Sequence, residues 1–305
     1  MVSIAPTEAP DYFPNGGENM IIAIASGKGG TGKTTVAANL AVTLKEKIPV
    51  ALLDCDVEEP NAHLFLMPEF TEKESVALPV PSIDSDKCTH CGICTKICAY
   101  HALADLGKKI LVFEELCHGC GGCSLLCPAG AITEIYKEIG LVERGTAKGI
   151  EFLQGTLSIG KVSAPPVIKK VKSRIKSAPA IATAAVIIDS PPGTSCPMIN
   201  AVSGADYCVL VTEPTPFGLS DLKLAVGVVR ELGIPFGVVI NRADMGDDEV
   251  EKYLQEQGIP LLMKIPFDRR YAACYARGRL IVEEFPELRQ AFNNLWKAIE
   301  RQVKA

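Results

Sequence analysis

A glycine-rich segment with two lysines is the first stretch of this sequence whose residue types could do chemistry. It reads Gly27-Lys28-Gly29-Gly30-Thr31-Gly32-Lys33-Thr34, followed by Thr35. The spacing matches G-x-x-x-x-G-K-[ST], in which glycines let backbone N–H groups turn inward around phosphate oxygens. In such a loop the lysine at position 33 reaches the β- and γ-phosphates, and the hydroxyl at position 34 ligates Mg²⁺. The segment therefore predicts a site for a nucleoside triphosphate and Mg²⁺.

Eight of the twelve cysteines form two groups with the same spacing, C-x₂-C-x₂-C-x₃-C. They are Cys88, Cys91, Cys94 and Cys98 in the first group and Cys117, Cys120, Cys123 and Cys127 in the second. This spacing is typical of ligands of [4Fe–4S] clusters. Zinc is the alternative, although a tetrahedral zinc site needs four ligands and not a repeated three-plus-one pattern. For His90 and His118, which lie between these cysteines, a surface position in a loop is favoured over coordination.

The elements around the glycine-rich loop are those that a phosphate-binding loop requires. An apolar run at 21–25 precedes it and predicts a buried strand, and a helix-forming run at 36–42 follows it. Further strands are predicted at 50–53, 149–153, 185–189, 207–212 and 236–240, and helices at 165–176, 219–232 and 286–303. Alternating strands and helices predict an α/β fold with a doubly wound, mostly parallel sheet.

Polar residues stand at the carboxyl ends of these strands, where an open parallel sheet has its ligand crevice. Asp54 and Asp56 follow the strand at 50–53, and Asn241 follows the strand at 236–240. Asp189 ends the strand before a Pro-Pro-Gly turn, a place that suits a Walker B acid holding Mg²⁺ through water. We therefore expect these side chains at the nucleotide site.

The glycine-rich loop, with Lys28 ahead of Lys33, resembles the deviant Walker A loop of the MinD/ParA family, to which the nitrogenase iron protein also belongs. The resemblance covers nearly all of the α/β part and implies ATP as ligand, slow ATP hydrolysis and a homodimer when ATP is bound. It implies that Lys28 reaches the phosphates of the partner subunit. The Pro-Pro-Gly turn resembles the switch II of that family.

The same resemblance implies roles for the residues at the strand ends. Asp56 would orient the attacking water, and Asp54 would stand in the outer shell of Mg²⁺. Asn241 would contact adenine, with Pro266 of the following loop flanking the same base. The alternatives are solvated acids at the strand end for Asp54 and Asp56, and an ordinary turn residue for Asn241.

The cysteine-rich stretch resembles a bacterial two-cluster ferredoxin inserted into the ATPase. The resemblance implies two [4Fe–4S] clusters, one held by Cys88, Cys91, Cys94 and Cys127 and the other by Cys117, Cys120, Cys123 and Cys98. Pro128 follows Cys127 as that pattern expects, but Ala99 follows Cys98. We assign residues 79–136 to a small α+β ferredoxin-like domain, and residues 20–78 and 137–305 to the ATPase domain.

Composition limits the partners. The net charge of −5 gives no basic field for nucleic acid, and no apolar run reaches the roughly 18 residues of a membrane span. The final helix has an apolar stripe and mixed charges opposite it, which favours packing over membrane binding. With clustered cysteines and no signal peptide, we expect a cytoplasmic protein, and we expect residues 1–19 to be disordered.

The remaining cysteines have simpler interpretations. Cys196 follows Asp189 by seven residues, an offset at which the nitrogenase iron protein has a cluster ligand. A small residue near the site or a redox-sensitive thiol is favoured for it. We expect Cys55, Cys208 and Cys274 to be buried as small hydrophobic residues.

Three functions fit these motifs. The first is ATP-gated electron transfer from two [4Fe–4S] clusters to a redox partner, and it ranks first because two clusters in one small fold make an electron relay. The second is assembly or delivery of iron–sulfur clusters or another metallocofactor to a partner protein. The third is a MinD-like positioning ATPase in which the clusters are structural or sensing.

Overall fold

The computed structural model describes residues 20–177 and 185–304, so the predicted disorder at 1–19 falls outside the described residues. The strands of these ranges are β1 (Met20–Ala25), β2 (Val50–Asp54), β3 (Glu69–Ile83), β4 (Leu103–Asp105), β5 (Ile110–Val112), β6 (Ile132–Ala147), β7 (Ile150–Leu157), β8 (Ala185–Asp189), β9 (Tyr207–Thr212), β10 (Phe236–Asn241) and β11 (Leu261–Ile265).

The α-helices of the described residues alternate with these strands. They are α1 (Lys33–Leu44), α2 (His63–Leu66), α3 (Ile93–Ile97), α4 (Gly122–Leu125), α5 (Pro165–Ser173), α6 (Cys196–Val202), α7 (Pro216–Glu231), α8 (Glu249–Glu256), α9 (Arg269–Ala276), α10 (Ile281–Glu284) and α11 (Pro286–Val303). Short 3₁₀ turns follow at Glu114–Leu116 and Arg174–Ser177.

One large sheet has the strand order β11-β10-β9-β1-β8-β2-β7-β6-β3. The strands from β11 to β7 run parallel, which confirms the prediction of a mostly parallel sheet. β6 pairs antiparallel with β7, and β3 pairs antiparallel with β6. This antiparallel edge was not predicted, because most of the first half of β3 is polar and exposed and lacks the apolar run of a buried strand.

The two faces of the sheet carry separate cores because successive side chains of a strand point to opposite faces. In β1, Ile21 and Ala23 belong to the core under α5 to α8, whereas Ile22 and Ile24 belong to the core under α1, α10 and α11. Apolar runs such as β1 are therefore buried on both sides, as in doubly wound folds. Every residue of β2 and β8 is buried as well.

A long hairpin carries the cysteine-rich residues away from the sheet. Its strands β3 and β6 run without a break through residues 79 and 136, between which the sequence predicts a separate small domain. The register shifts where Val76 pairs with Gly140 but Ala77 pairs with Glu138, so Ile139 is an extra residue in β6. Such a β-bulge bends a strand. We call residues 77–83 with 132–138 the hairpin arm, and residues 84–131 the cysteine module.

The last helix packs as predicted. Leu288, Phe292, Leu295 and Ile299 of α11 are buried in the core that also contains α1. No helix among the described residues has the length and apolar character needed to cross a membrane. Helix α5 is rich in lysine, a composition that suits a solvated face, but its Lys172 is fully buried.

Candidate functional site

The glycine-rich loop joins β1 to α1 at the carboxyl edge of the sheet. Gly30 and Gly32 have φ of 79° and 100°, in the left-handed region that glycine adopts without strain. Gly27 has another reason, because a Cβ atom there would lie 2.1 Å from the carbonyl oxygen of Asp221 in α7. These glycines let the loop curl over the N-terminus of α1, where backbone N–H groups and the helix dipole favour anions.

The side chains of the loop are already in place around a pocket. Lys33 and Thr34 are buried, and they line one cavity together with Gly29, Gly30, Gly32 and Thr35. The cavity also reaches Asp56 and the turn residue Pro192. Thr31 is buried as well, with its hydroxyl lacking a partner among the described residues. The loop thus presents its lysine and hydroxyl groups to one space that a triphosphate could enter.

Two acids from neighbouring strands stand beside the loop. Asp54 and Asp189 pair in register at the ends of β2 and β8, and both are fully buried. Both carboxylate oxygens of Asp189 lack a hydrogen-bond partner of good geometry among the described residues, although Thr34 is near enough to affect its ionisation. Burial raises the pKa of Asp189 to about 7, and the Thr34 hydroxyl and Lys33 oppose that rise.

This pair of groups fits a hard cation. Mg²⁺ prefers oxygen ligands and keeps several waters, so a threonine hydroxyl and an unpartnered carboxylate are suitable neighbours. A buried carboxylate without partners is costly unless a cation or water accompanies it. Thr34 and Asp189 are therefore the residues that would hold Mg²⁺, with Asp189 acting through water.

Asp54 differs from Asp189 in that its carboxylate is hydrogen-bonded to the backbone. Its carboxylate accepts backbone N–H bonds from Asp56, Asn61 and Ala62 at 3.2, 3.1 and 3.0 Å. Burial, and then the nearby Asp189, raise its pKa well above the usual value. These three hydrogen bonds fix the loop after β2, which carries Asp56. In this structure Asp54 therefore holds that loop in place.

Asp56 faces the phosphate end of the pocket. Burial raises its pKa to about 6, and the attraction of Lys33 opposes the rise. A carboxylate with a pKa near neutrality and one face on the pocket is suited to orienting a water molecule.

Lys28 lies at the rim of the site. Its side chain is about one-third exposed, and its ammonium nitrogen is 4.0 Å from an Oε atom of Glu213. Glu213 also accepts a bond from the Arg242 guanidinium at 2.6 Å. Lys28 is therefore held loosely on its own subunit, outside the set of residues that line the pocket.

The predicted base-binding residues lie in the same pocket as the glycine-rich loop. Asn241 and Pro266 both line it. The Asn241 amide donates to the Thr31 carbonyl at 2.9 Å and accepts from the Arg242 N–H at 3.0 Å. Asn241 thereby ties the end of β10 to the glycine-rich loop in this state.

Sequence reasoning missed several residues of this pocket, namely Asn39, Phe65, Tyr271, Tyr275 and Arg279. Asn39 was visible as a polar residue inside an apolar helix, and its side chain accepts the Val282 N–H at 3.0 Å. Tyr271 and Tyr275 are four residues apart, a spacing that puts both on one face of α9. Phe65 and Arg279 gave no comparable signal.

The eight clustered cysteines line two separate cavities. The first cysteine cavity is lined by Cys88, Cys91, Cys94 and Cys127, and the second by Cys98, Cys117, Cys120 and Cys123. Each cavity thus takes three cysteines from one motif and the fourth from the other. No group of three or more His, Cys, Asp or Glu side chains within residues 20–177 and 185–304 is arranged to hold a metal ion by itself. The thiols surround a space rather than converge on one point.

Both halves of the module have the same backbone plan. Residues 90 and 119, each two after the first cysteine of its motif, have φ of 52° and 64°, and residues 101 and 130, each three after the last, have 52° and 57°. Backbone N–H groups of Ala102 and Ala131 donate to the sulfurs of Cys98 and Cys127 at 3.3 and 3.4 Å. Hydrogen bonds of this kind stabilise thiolate ligands of iron–sulfur clusters. The donor set and the cavities therefore fit a bound cluster in each half.

The histidines and remaining cysteines of the described chain occupy other environments. His90 pairs with Asp105 at 3.2 Å, and the His118 ring stacks on Tyr100 with centroids 3.5 Å apart. Cys196 is exposed at the start of α6. Cys55, Cys208 and Cys274 are buried, which confirms their expected burial.

Comparison with known proteins adds to this geometry. A profile of the CobQ/CobB/MinD/ParA nucleotide binding domain matches residues 22–281. An uncharacterized protein of Methanocaldococcus jannaschii is 34% identical over 86% of this chain and 91% of its own length. The iron-sulfur cluster carrier protein of Aquifex aeolicus is 26% identical over 95% of this chain and 69% of its own length.

Solved structures show a similar backbone. The septum site-determining protein MinD of Pyrococcus horikoshii, in complex with Mg-ADP, superposes with a TM-score of 0.56 at 23% identity. The match covers 94% of this chain and 99% of that protein. At this identity the likeness shows the fold alone.

Proposed function

Because the chain belongs to the CobQ/CobB/MinD/ParA nucleotide-binding domain family, whose MinD and ParA branches are P-loop ATPases, we propose that it couples ATP hydrolysis to two [4Fe–4S] clusters held in the cysteine module. The observation that carries the proposal is that two four-cysteine cavities stand at the end of a hairpin that is continuous with the sheet of the ATPase. The leading use of the clusters is electron transfer to a partner protein.

Several predicted residues of the nucleotide half take a role in this function. The glycine-rich loop binds the phosphates, Lys33 neutralises the β- and γ-phosphate charge, and Thr34 and Asp189 would hold Mg²⁺. Asp56 would orient the water that attacks the γ-phosphate. Asn241 and Pro266 would turn to the adenine, with the Asn241 amide exchanging its bond to Thr31 for one to the base.

Dimerisation completes the proposed site. In this subunit Lys28 points to Glu213 and lines no part of the pocket, so it is available to a second subunit. We propose that ATP brings two subunits together and that Lys28 then reaches the partner's phosphates. A pair of this kind would make hydrolysis depend on protein concentration.

The cysteine module would contribute the cluster ligands and an apolar environment around them. When bound, each cluster would supply one-electron redox chemistry. The chain's own part is to hold four thiols around each cavity, to donate N–H bonds to their sulfurs, and to surround the cavities with apolar side chains such as Ile83, Ile110 and Ile132. Cysteines shared between the halves tie the two cavities into one unit, which supports an electron relay.

Cluster delivery to another protein is the second candidate function, and the comparisons favour it. Several relatives at 25–26% identity, from Aquifex and Pyrococcus species, carry the name iron-sulfur cluster carrier protein. The exposure of Cys91 and Cys120 supplies a route by which a receiving thiol could approach. The enclosing three-plus-one arrangement favours clusters that stay in place.

One anaerobic experiment separates the two candidates. The iron-loaded protein is reduced and mixed with a redox dye or an apo-ferredoxin, with and without MgATP. Electron transfer predicts nucleotide-dependent oxidation with iron retained, whereas delivery predicts nucleotide-dependent movement of iron to the apo-ferredoxin. Purified protein that binds no iron under anaerobic reconstitution would refute both.

Ligand sharing gives a second test. Cys98→Ser changes the first motif but lies on the second cavity, and Cys127→Ser does the reverse. We expect each variant to alter the EPR signal of the cluster across the module. An effect confined to the cluster of the variant's own motif would contradict the assignment.

A further inference from the structure

Helix α5 lies between the nucleotide half and the hairpin, and it has no role in the proposed function. On one side it packs against α6, the helix that directly follows the switch II segment at residues 189–195. On the other side it packs against β3, β6 and β7. It is therefore in contact both with the helix that follows the nucleotide-facing turn and with the base of the cysteine-bearing hairpin.

Lys172 fixes α5 to α6. Its side chain is fully buried, and its ammonium group donates to the carbonyl oxygens of Asn200, Ala201 and Ser203 at 2.8, 2.9 and 2.6 Å. These are the last carbonyls of α6 and the residue just after it, which a helix leaves without intrahelical partners. Three acceptors match the three donors of a charged lysine, although burial lowers the pKa of Lys172 to about 8.

Glu74 fixes α5 to the hairpin. The Lys170 ammonium lies 2.7 Å from a Glu74 carboxylate oxygen, and the Arg174 guanidinium donates to the other oxygen. Glu74 sits in β3, two residues before the bulge at which the hairpin arm leaves the sheet. A carboxylate shared by Lys170 of α5 and by Arg174, the residue directly after α5, holds the end of that helix at a defined place on the strand.

Close packing at the bulge leaves α5 little freedom to move alone. A Cβ atom at Gly140 would lie 2.8 Å from Val167, and one at Gly155 would lie 2.9 Å from both Val167 and Val171. The end of β7 is also tied to the loop that carries Asp56, since Leu157 donates to the Val57 carbonyl at 2.7 Å. A shift of the switch II segment or of the loop after β2 would therefore displace the same few residues, those at the bulge where the hairpin arm begins.

We infer that α5 is the coupling element of this ATPase, with Lys172 as a positioning residue that transmits the state of switch II and Glu74 as the point where the hairpin arm receives it. The inference rests on the proposed function, because it takes the cysteine module as what the nucleotide acts upon. By reciprocity, the state of the module must also alter nucleotide affinity. Neither Lys172 nor Glu74 lines the nucleotide pocket or either of the two cysteine cavities.

The test uses matched pairs of variants in the full chain. Glu74→Gln removes the charge that α5 grips, and Glu72→Gln is its control, since Glu72 stands on the same strand face but pairs with Arg144 of β6. Lys172→Met removes the grip on α6, and Lys169→Met is its control on the exposed face of α5. Lys172→Arg keeps the charge and should restore part of the response.

Hydrogen exchange is the main readout because it needs no turnover. Amide exchange of residues 77–138 is measured with MgADP, with a non-hydrolysable ATP analogue and without nucleotide. We expect the wild type and both controls to show a nucleotide-dependent change of about fivefold or more, within the usual range of coupling between sites. Glu74→Gln and Lys172→Met should lose most of it while binding MgADP within about twofold of the wild type.

The outcomes are distinct. A nucleotide response in Glu74→Gln as large as that of the wild type would overturn the inference, and this surface variant decides the matter if Lys172→Met fails to fold. Absence of any response in the wild type would overturn it too. Iron content is measured on the same samples: protein without iron refutes the proposed function, whereas the exchange comparison still decides whether α5 couples the two regions.

Discussion

The nucleotide site and the cysteine module are held together by different forces. Eleven of the twelve residues of α1 are buried, and the strands on which the site stands are buried on both faces. In the cysteine module, residues 84–131, the buried hydrophobic side chains are Ala102, Leu103, Ile110 and Ala131. Packing alone explains the geometry of the first region but supplies little for the second.

The difference teaches where each site's geometry comes from. At the sheet edge, apolar packing fixes the backbone and the polar groups are carried into place. In the module, side chains that in a larger domain would be core stay exposed, such as Leu125 at 84%. A segment this small has too little apolar core for much stability, and metals or disulfides commonly supply the rest. We therefore expect ligation to be the main stabilising term of the module.

Iron removal is the strongest way to test this contrast. Anaerobic chelation of the loaded protein should abolish amide protection in residues 84–131, because small metal-dependent folds lose their folding free energy with the metal. Protection in β1 and α1 should remain. The measurement is hydrogen exchange by mass spectrometry before and after chelation. A module that keeps its protection without iron would show that packing suffices there.

Loss of the loop lysine tests the other region. Lys33→Ala should lower ATP hydrolysis by about 10² or more, since it removes a charge that is placed on the transferring phosphoryl group. Iron content and module protection should not change. Lys297→Ala, at an exposed position of α11, is the control. Wild-type hydrolysis in Lys33→Ala would mean that the pocket is not the catalytic site.

The rim lysine should give a smaller and more selective effect. Lys28→Ala should reduce hydrolysis by roughly tenfold or more, because it removes a positive charge from the partner's transferring phosphoryl group, with little change in MgADP affinity. The rate per subunit should rise with protein concentration in the wild type and stay flat in the variant. Equal concentration dependence in the two proteins would contradict a role for Lys28 in a second subunit.

The sheet and the glycine-rich loop could be predicted from the sequence because each has a local pattern. Apolar runs such as 21–25 predict strands buried on both faces, and the glycine spacing around Lys33 predicts the loop that joins strand to helix. The resemblance to a two-cluster ferredoxin implied the same two sets of four thiols that line the two cavities. As ligand sets they stay a proposal.

Other features have no local signature because they arise from tertiary contacts. The polar sequence around Glu74 is typical of a loop, and it is a strand because it pairs with β6. A lysine such as Lys172 is expected at the surface, and it is buried here because α6 packs against it. The place of Asp54 in the outer shell of Mg²⁺ stays a prediction, whereas the three backbone N–H groups that donate to its carboxylate were not predicted. Burial and charge partners of this kind depend on residues far apart in sequence.

The smallest expected effect concerns stability of the nucleotide region without ligand. Burial raises the pKa of Asp56 from 3.8 to about 6, so the folded state binds its proton more tightly than the unfolded state does. The contribution of Asp56 to the free energy of unfolding therefore falls as pH rises from about 4 to 6. Asp56→Asn removes this loss and, after allowing for solvent screening, should be more stable than the wild type by about 1–2 kcal/mol above pH 6. Near pH 4 the difference should vanish.

Denaturant unfolding of the nucleotide-free protein between pH 4 and 7 measures this difference. Asp247→Asn, the same change in an exposed loop, is the control and should show no such trend. MgADP should reverse the sign, because Mg²⁺ in the pocket favours the ionised carboxylate that the empty fold disfavours. A wild-type advantage over Asp56→Asn in the absence of nucleotide would mean that a partner already satisfies Asp56. In that case the nucleotide site would be held by electrostatics as well as packing, and the contrast with the cysteine module would narrow.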